Sequence, residues 1–247
     1  MNDEDDTPIR SPEDAVRDAR VVLNAALTNE PPVDMRWIAE ERRGSSTWAM
    51  AQDALEFVGR LMFHLNPRHV IEFGSGVSTC VIERATEHYT IDCRISVIEN
   101  DPKYARLTAS KTGKRVAVQL APLVARSRQG HVLPSYEIRR GRLASTLPAD
   151  FLLIDGPPAA LGGREGILYQ ALEFARAGSI VLLDDATREP EVQALERWGA
   201  DLHDAIQIDL LPGFEKGLAS TIVRKPASGR ERVALNERRA STMQRSR

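Results

Sequence analysis

Short apolar runs alternate with helical patterns through the middle of the chain. Five of these runs have the length of a buried strand, namely 69–73, 94–99, 116–121, 150–155 and 179–183. Three stretches with apolar residues at helical spacing separate most of them, namely 78–88, 102–112 and 165–177. Alternation of strands and helices predicts a parallel sheet that is covered on both faces.

The pattern changes at both ends of this region. Near the carboxyl end, the strand-like runs 205–211 and 218–223 flank a turn that contains Pro212 and two glycines, which predicts an antiparallel hairpin. Upstream, a helix that begins near Ser11 is followed by one that Ser45 or Ser46 can cap, with Trp48 on its apolar face. We therefore predict an α/β fold: a doubly wound, Rossmann-like and mostly parallel sheet with a C-terminal hairpin and an N-terminal helical extension.

Domain boundaries follow from changes in composition. Residues 1–44 combine an acidic lead with the helical extension, residues 45–225 hold the α/β domain, and residues 226–247 are a basic tail that we expect to be disordered. Within the domain, residues 122–149 are rich in arginine and weakly periodic. This segment is predicted to be either an insertion over the ligand cleft or a poorly ordered loop.

Composition narrows the classes of partner and the compartment. The 247 residues carry a net charge of −2 and are 42% hydrophobic, which is typical of one globular domain and gives no strong electrostatic reason to bind nucleic acid or membrane. The two cysteines, Cys80 and Cys93, form no paired framework. A reducing cytoplasm is the compartment that this cysteine content favours.

The most informative stretch is a glycine-rich turn between the first predicted strand and the next helix. Residues 70–79 place Glu72 at the strand end, Gly74, Ser75 and Gly76 in the turn, and Ser78 and Thr79 at the helix start. Glycines let a ligand approach the backbone, and the helix N-terminus suits an anionic group. A dinucleotide fingerprint would have a third glycine at the position of Thr79, so a different nucleotide-like cofactor is indicated.

The Glu-x-Gly-x-Gly pattern of this turn resembles motif I of the class I S-adenosylmethionine (SAM) methyltransferases, and the resemblance extends from about residue 50 to residue 224. It implies that SAM binds at Glu72, Gly74, Ser75, Gly76, Ser78 and Thr79, with Glu99 and Asn100 at the end of the second strand. An acid in that position can accept hydrogen bonds from both ribose hydroxyls. The alternative is that Glu99 only caps the turn before Asp101.

Carboxylates also end the fourth and fifth predicted strands. Asp155 and the pair Asp184–Asp185 resemble the acids of the cation-dependent O-methyltransferases, which implies a site for Mg²⁺ or another divalent cation, with Asp155 also assigned a catalytic role. Alternatively, Asp184 and Asp185 cap the next helix and Asp155 only orients a ligand.

No general base is assigned by the resemblance, because Gly156, Pro157 and Pro158 stand where those families often have a further acid or lysine. Candidates from the sequence are His131, Tyr136, Glu165 and Asp155 itself.

The expected activity is O-methylation of a hydroxyl on a sugar or secondary metabolite, with a small-molecule or glycan acceptor and cation assistance. A homodimer is compatible with the sequence. Methylation of a nitrogen or a carboxylate would use the same cofactor site. An NAD(P)-dependent oxidoreductase or a non-catalytic nucleotide-binding module is less consistent with the missing third glycine and the acidic strand ends.

Overall fold

The structure is a computed structural model that describes residues 11–28, 34–44, 48–139 and 148–225. The acidic residues at positions 3–6 and the basic tail at 226–247 lie outside the described residues, so the predicted disorder of the tail stays a prediction.

Seven α-helices are described, and a single 3₁₀ turn at Ala159–Leu161 precedes the sixth. They are α1 (Pro12–Thr28), α2 (Trp37–Arg42), α3 (Gln52–Leu65), α4 (Val77–His88), α5 (Pro102–Lys111), α6 (Glu165–Ala171) and α7 (Glu189–Asp201). The described strands are β1 (His69–Phe73), β2 (Arg94–Glu99), β3 (Val116–Leu120), β4 (Leu123–Arg128), β5 (His131–Tyr136), β6 (Ala149–Ile154), β7 (Ala175–Asp184), β8 (Ile206–Leu211) and β9 (Leu218–Val223).

Seven of these strands form one sheet, in the order β3-β2-β1-β6-β7-β9-β8. The first five strands in that order are parallel, and β9 runs antiparallel to both β7 and β8. Chain order reverses direction between β1 and β6, which is the point where open parallel sheets bind ligands. The predicted doubly wound sheet with its C-terminal hairpin is therefore confirmed.

Alternate residues of the central strands face two separate cores. Val70 belongs to the core that contains α1, α3 and α4, whereas its neighbour Ile71 belongs to the core that contains α6 and α7. The N-terminal helix is part of the first core, because Ala19 and Leu23 are buried within it. Both faces of the sheet are thus covered, which explains why the central strands read as continuous apolar runs.

The arginine-rich segment is not a poorly ordered loop where the structure describes it, so of the two predicted alternatives the insertion fits better. Strands β4 and β5 form an antiparallel two-stranded sheet, in which Leu123 pairs with Tyr136 and Arg128 pairs with His131. Tyr136, Ile138 and Leu133 pack into the second core, so the hairpin covers the sheet face beside α6. Residues 140–147 lie outside the described residues.

Two helix boundaries also differ from the predictions, and one helix was missed. Helix α6 ends at Ala171 rather than at residue 177, because the Phe174 carbonyl accepts a hydrogen bond from the Ala149 amide and β7 begins at once. Helix α3 begins at Gln52 with no side-chain cap, which leaves Trp48 outside the helix. Helix α2 was not predicted at all. Among the described helices, none combines the length and apolar character needed to cross a membrane.

Candidate active site

A close approach of two glycines joins β1 and β6 at their carboxyl ends. Gly74 has φ +98°, and a Cβ there would lie 3.0 Å from the carbonyl carbon of Asp155 and from the nitrogen of Gly156. A Cβ on Gly156 would in turn lie 3.1 Å from the Cα of Gly74 and 2.8 Å from the hydroxyl of Tyr136. Both positions therefore require glycine, and the strand ends can meet at the bottom of the crevice.

Gly76 differs from these two glycines, because no steric contact in the described structure requires glycine there. Its φ of 162° is extended backbone, and a Cβ built on it meets no heavy atom within 4 Å. The glycine therefore keeps space open in front of the helix α4, which begins at the next residue and is long enough to have a developed dipole. An anionic group of a ligand could approach the first amides of α4 through this space.

Glu72 lies beneath this turn and is fully buried. One carboxylate oxygen accepts the hydroxyl hydrogen of Ser78, and the other accepts that of Thr79 at 2.6 Å. Thr79 also accepts the amide hydrogen of Gly76 at 3.2 Å. Burial raises the pKa of Glu72 to about 7 and outweighs the two hydroxyl hydrogen bonds, which act in the opposite direction. These three side chains therefore shape the turn from below.

Glu99 closes the other side of the turn. Ser75 donates its hydroxyl hydrogen to one carboxylate oxygen of Glu99 at 2.8 Å, and the Asp101 amide donates to the other at 2.8 Å. Glu99 is almost fully buried, and the adjacent Asn100 is partly exposed. The Ser75–Glu99 hydrogen bond thus joins the turn after β1 to the end of β2.

Three carboxylates converge at the ends of β6 and β7. Ligand atoms of Asp155, Asp184 and Asp185 all lie within 4.8 Å of one another. Helix α7 has Arg188 at its N-cap and no side-chain cap, so neither Asp184 nor Asp185 caps the helix. Asp185 adopts φ +59°, a left-handed conformation that costs energy in most residues and is more common for Asp. The capping alternative from the sequence is thereby disfavoured.

Arg164 was not predicted to belong to the site, yet it contacts all three acidic residues. One terminal nitrogen donates to the carboxylates of Asp155 at 3.2 Å and Asp185 at 2.8 Å and to the Asp155 carbonyl at 3.1 Å. The other donates to the carbonyl of Asp184. Two consecutive glycines at positive φ, Gly162 and Gly163, turn the chain so that Arg164 points inward. This glycine pair is the only signal of the role in the sequence.

The cluster holds more negative charge than its described partners neutralise. Burial and the nearby Asp184 carboxylate raise the pKa of Asp155 well above its ordinary value, although Arg164 opposes the shift. Burial, with Asp185, likewise raises the pKa of Asp184. Both carboxylate oxygens of Asp184 are buried and have no hydrogen bond of normal geometry among the described residues, although the Asp185 amide and the Asp155 side chain lie close enough to oppose the rise in its pKa. Such oxygens fit a hard cation, whose preferred ligands they are.

A fourth carboxylate lies near Arg164. Glu191, in the first turn of α7, is 2% exposed, and its Oε2 has no hydrogen-bond partner among the described residues. Burial opposes the charge of Arg164, but the carboxylates of Asp155, Asp185, Asp184 and Glu191 together raise the pKa of the guanidinium. Arg164 is therefore a permanent cation.

The remaining candidates for a general base do not suit that role. His131 is exposed at the turn of the β4–β5 hairpin, at the opposite end from Tyr136. Glu165 is held by Arg197, whose Nε lies 2.7 Å from one carboxylate oxygen. The Tyr136 hydroxyl lies beneath Gly156, and burial, followed by the charge of Glu99, raises the pKa of the phenol well above 10. Asp155 remains.

A loop at residues 212–217 connects the carboxylate cluster to the start of α3. The Gly217 carbonyl accepts from the Ala186 amide at 3.1 Å, and the Lys216 carbonyl accepts from the Thr187 hydroxyl at 2.8 Å. The ammonium group of Lys216 donates to the carbonyl of Ala49 at 2.8 Å. Trp48, next to Ala49, is 67% exposed. The segment that carries this exposed indole is thereby linked, through Lys216, to the residues that follow Asp185.

Solved structures of several methyltransferases are similar to this fold. An O-methyltransferase from Bacillus cereus in complex with S-adenosylhomocysteine (SAH) is 16% identical, with a TM-score of 0.53, over 86% of this chain and 100% of that chain. The SAH-bound methyltransferase PaMTH1 of Podospora anserina is 16% identical, with a TM-score of 0.54, over 88% and 98%. The O-methyltransferase TomG of Streptomyces achromogenes, involved in tomaymycin synthesis and solved with SAM, is 16% identical, with a TM-score of 0.52, over 87% and 99%.

No protein-family model matches the chain. Nor does any curated protein match it. The fold is that of the class I methyltransferases, as the motif around Gly74 and Gly76 predicts.

Proposed function

We propose that the protein is a SAM-dependent methyltransferase that methylates a hydroxyl group of a small molecule or a glycan. The observation that carries this proposal is the hydrogen bond from Ser75 to Glu99, which brings the glycine turn and the end of β2 together. The open space before Gly76 and the carboxylate of Glu99 match the two polar ends of a nucleoside amino acid.

In this proposal Glu99 accepts hydrogen bonds from the ribose hydroxyls of SAM, with Asn100 beside it. The backbone of Gly74, Ser75 and Gly76 lies against the cofactor, and the methionine carboxylate faces the start of α4. Glu72, Ser78 and Thr79 act indirectly, because their side chains bond one another beneath the turn. They are positioning residues rather than direct ligands.

The carboxylate cluster is proposed to hold a divalent cation. Asp155, Asp184 and Asp185 offer oxygens within 4.8 Å of one another, and the buried Asp184 oxygens have no hydrogen-bond partner among the described residues. A divalent cation held there would lower the pKa of the acceptor hydroxyl and orient its oxygen. The residues present fit such an ion in both charge and chemistry.

Catalysis by the chain itself is then mainly a matter of alignment. Methyl transfer is an in-line displacement in which the acceptor oxygen bonds the methyl carbon as the carbon–sulfur bond breaks, releasing SAH. Asp155 lies between Asp184 and the point where Gly74 and Gly156 approach each other. Its carboxylate is proposed to receive the hydroxyl proton.

Trp48 supports an acceptor with a flat apolar face. Its indole is exposed, and the Ala49–Lys216 and Lys216–Thr187 hydrogen bonds link the adjacent residue to the segment after Asp185. Aromatic faces stack on sugar rings and on planar aromatic acceptors alike. The proposed acceptor class is therefore a sugar or a secondary metabolite that presents its hydroxyl beside such a face.

Calorimetric titration with SAH, NADH and NADPH tests the proposed cofactor. We expect SAH to bind and both dinucleotides to show no heat above dilution. Binding of NADH with no binding of SAH would contradict the proposal. Activity on hydroxylated acceptors that survives exhaustive chelation would overturn the proposed role of the cation, while the proposed methyltransferase function would still stand.

A further inference from the structure

Arg164 places a fixed positive charge inside the carboxylate cluster. Its side chain is only 4% exposed, and its guanidinium bonds Asp155 and Asp185, whose side chains are 13% and 2% exposed. It also donates to the main-chain carbonyls of Asp155 and Asp184, at the ends of neighbouring strands. A planar guanidinium holds several acceptors in a defined relative orientation, which a flexible ammonium cannot do.

The contacts of Arg164 decide which carboxylate oxygens remain available. It occupies Oδ1 of Asp155 and Oδ2 of Asp185, while Oδ1 of Asp185 faces Arg188 at 2.8 Å. Arg188 is 41% exposed and can move into solvent. The described hydrogen bond from Arg164 to the Asp155 carboxylate is to Oδ1 and not to Oδ2, and neither oxygen of Asp184 has a hydrogen bond of normal geometry among the described residues. The guanidinium therefore holds one side of the cluster and leaves the other open.

Charge alone would make Arg164 an obstacle to a divalent cation. Three carboxylates and one guanidinium carry a formal charge of −2, compared with −3 if the arginine were absent. Coulomb repulsion between the guanidinium and an added cation weakens cation binding. Orientation acts in the opposite sense, because ligating carboxylates are held by hydrogen bonds from outer residues, whose loss typically weakens metal binding about 10–100-fold. Removal of Arg164 would strengthen cation binding through the first effect and weaken it through the second.

We propose that Arg164 is a positioning residue for a cation site, holding Asp155 and Asp185 so that their free oxygens meet those of Asp184 at one point. The inference rests on the cation site of the proposed function. It goes beyond that proposal in assigning the geometry of the site to a basic residue that does not itself bind the cation. The proposal requires that loss of orientation outweigh loss of repulsion when Arg164 is removed.

Mn²⁺ is the probe, since it binds oxygen ligands and its free concentration can be measured by electron paramagnetic resonance. With the full chain, Arg164→Gln is expected to raise the Mn²⁺ dissociation constant by about tenfold or more. Arg164→Lys keeps the positive charge but cannot span the same acceptors, so we expect it to weaken binding as well. SAH affinity and melting temperature, measured on each variant, show whether it is folded.

Arg176→Gln provides the matched control. Arg176 joins the same two strands at their opposite ends, where its Nε lies 3.2 Å from Oδ1 of Asp150. Its loss removes a guanidinium–carboxylate contact between β6 and β7 without touching the cluster. We expect its Mn²⁺ affinity to equal that of the unmodified protein.

The outcomes separate the inference from the function on which it rests. If Arg164→Gln binds Mn²⁺ as tightly as the unmodified protein, or more tightly, the positioning role is wrong and the cation site stands. If Arg164→Gln should fail to fold, unchanged or tighter Mn²⁺ binding by Arg164→Lys overturns the positioning role in the same way. If the unmodified protein binds no Mn²⁺, both the cation site and the positioning role are overturned, whereas SAH titration still decides the cofactor.

Discussion

The hydroxyl of Ser75 lies 2.8 Å from a carboxylate oxygen of Glu99, although the two residues belong to different strand–helix units. Ser75 is in the turn after β1, and Glu99 is the last residue of β2. This contact joins the turn to the end of β2, and the close approach of Gly74 and Gly156 joins the ends of β1 and β6. The proposed cofactor site is therefore a product of adjacent parallel strands ending at the same edge.

Replacing the two glycines of the turn by alanine is expected to affect different properties, stability for Gly74 and SAH binding for Gly76. Gly74→Ala should lower the free energy of unfolding by at least about 1–2 kcal/mol, because the residue is left-handed and its Cβ would press on the Asp155–Gly156 backbone. Gly76→Ala should leave stability nearly unchanged, since its Cβ meets no described atom, but it should weaken SAH binding. Chemical denaturation and calorimetry measure the two effects, and equal loss of stability in both variants would contradict this explanation.

Glu72 should make stability depend on pH. Its pKa in the folded protein is about 7, above the ordinary value of 4.5, so the folded state binds this proton more tightly than the unfolded state. The resulting contribution to stability is complete below about pH 4.5 and is lost as pH rises through 7.

Glu72→Gln removes this dependence, so its stability relative to the unmodified protein should rise between pH 5 and pH 8, by up to roughly 3 kcal/mol. Thermal unfolding over that range measures the difference. A difference that stays constant with pH would show that Glu72 does not titrate there.

Asp184→Asn should stabilise the protein when no cation is present. The carboxylate of Asp184 is buried beside Asp155 and Asp185, and neither of its oxygens has a hydrogen-bond partner among the described residues. An amide removes one charge and can donate to a neighbouring carboxylate, so we expect a gain of about 1 kcal/mol. Mn²⁺ binding should fall at least tenfold. Unfolding with and without chelator distinguishes the effects, and a loss of stability in chelator would argue against uncompensated charge.

Trp48 should report acceptor binding by fluorescence. The chain has three tryptophans, of which Trp37 and Trp198 are 6% and 1% exposed, compared with 67% for Trp48. Acrylamide should quench mainly Trp48, and a bound sugar or aromatic acceptor should protect it. Trp48→Phe should lose this signal and keep SAH affinity, whereas Leu210→Ala, another exposed apolar position, should change neither. Protection that persists in Trp48→Phe would place the acceptor elsewhere.

Strand periodicity and the glycine turn were sufficient to predict the sheet, because buried parallel strands are apolar on both faces and leave a local signal. The segment with β4 and β5 was missed because arginines at alternate positions obscure its apolar side, which only the packing of Tyr136 and Leu133 reveals. Trp48 was placed in a helix because its spacing matches that of Leu55, but the helix begins four residues later, at Gln52.

The sequence was sufficient to predict the acidic site residues that lie at the ends of apolar strands. Glu99, Asp155 and Asp184 are next to apolar runs, so sheet geometry brings them to one edge. Arg164 enters from a loop, and its burial depends on Gly162 and Gly163 turning the chain. The position of Glu191 near Arg164 depends on the direction in which helix α7 runs. Contacts that arise from loop paths and helix directions have no local periodicity, and the sequence alone does not reveal them.

Titration of SAH into the unmodified protein and into Glu99→Ala tests the central claim most directly. Because Glu99 is proposed to accept two charge-assisted hydrogen bonds from the ribose, its removal should weaken binding about 100-fold or more. Glu137→Ala, at an exposed position on the hairpin, should bind SAH normally. SAH that binds Glu99→Ala as tightly as the unmodified protein would contradict the proposed cofactor site.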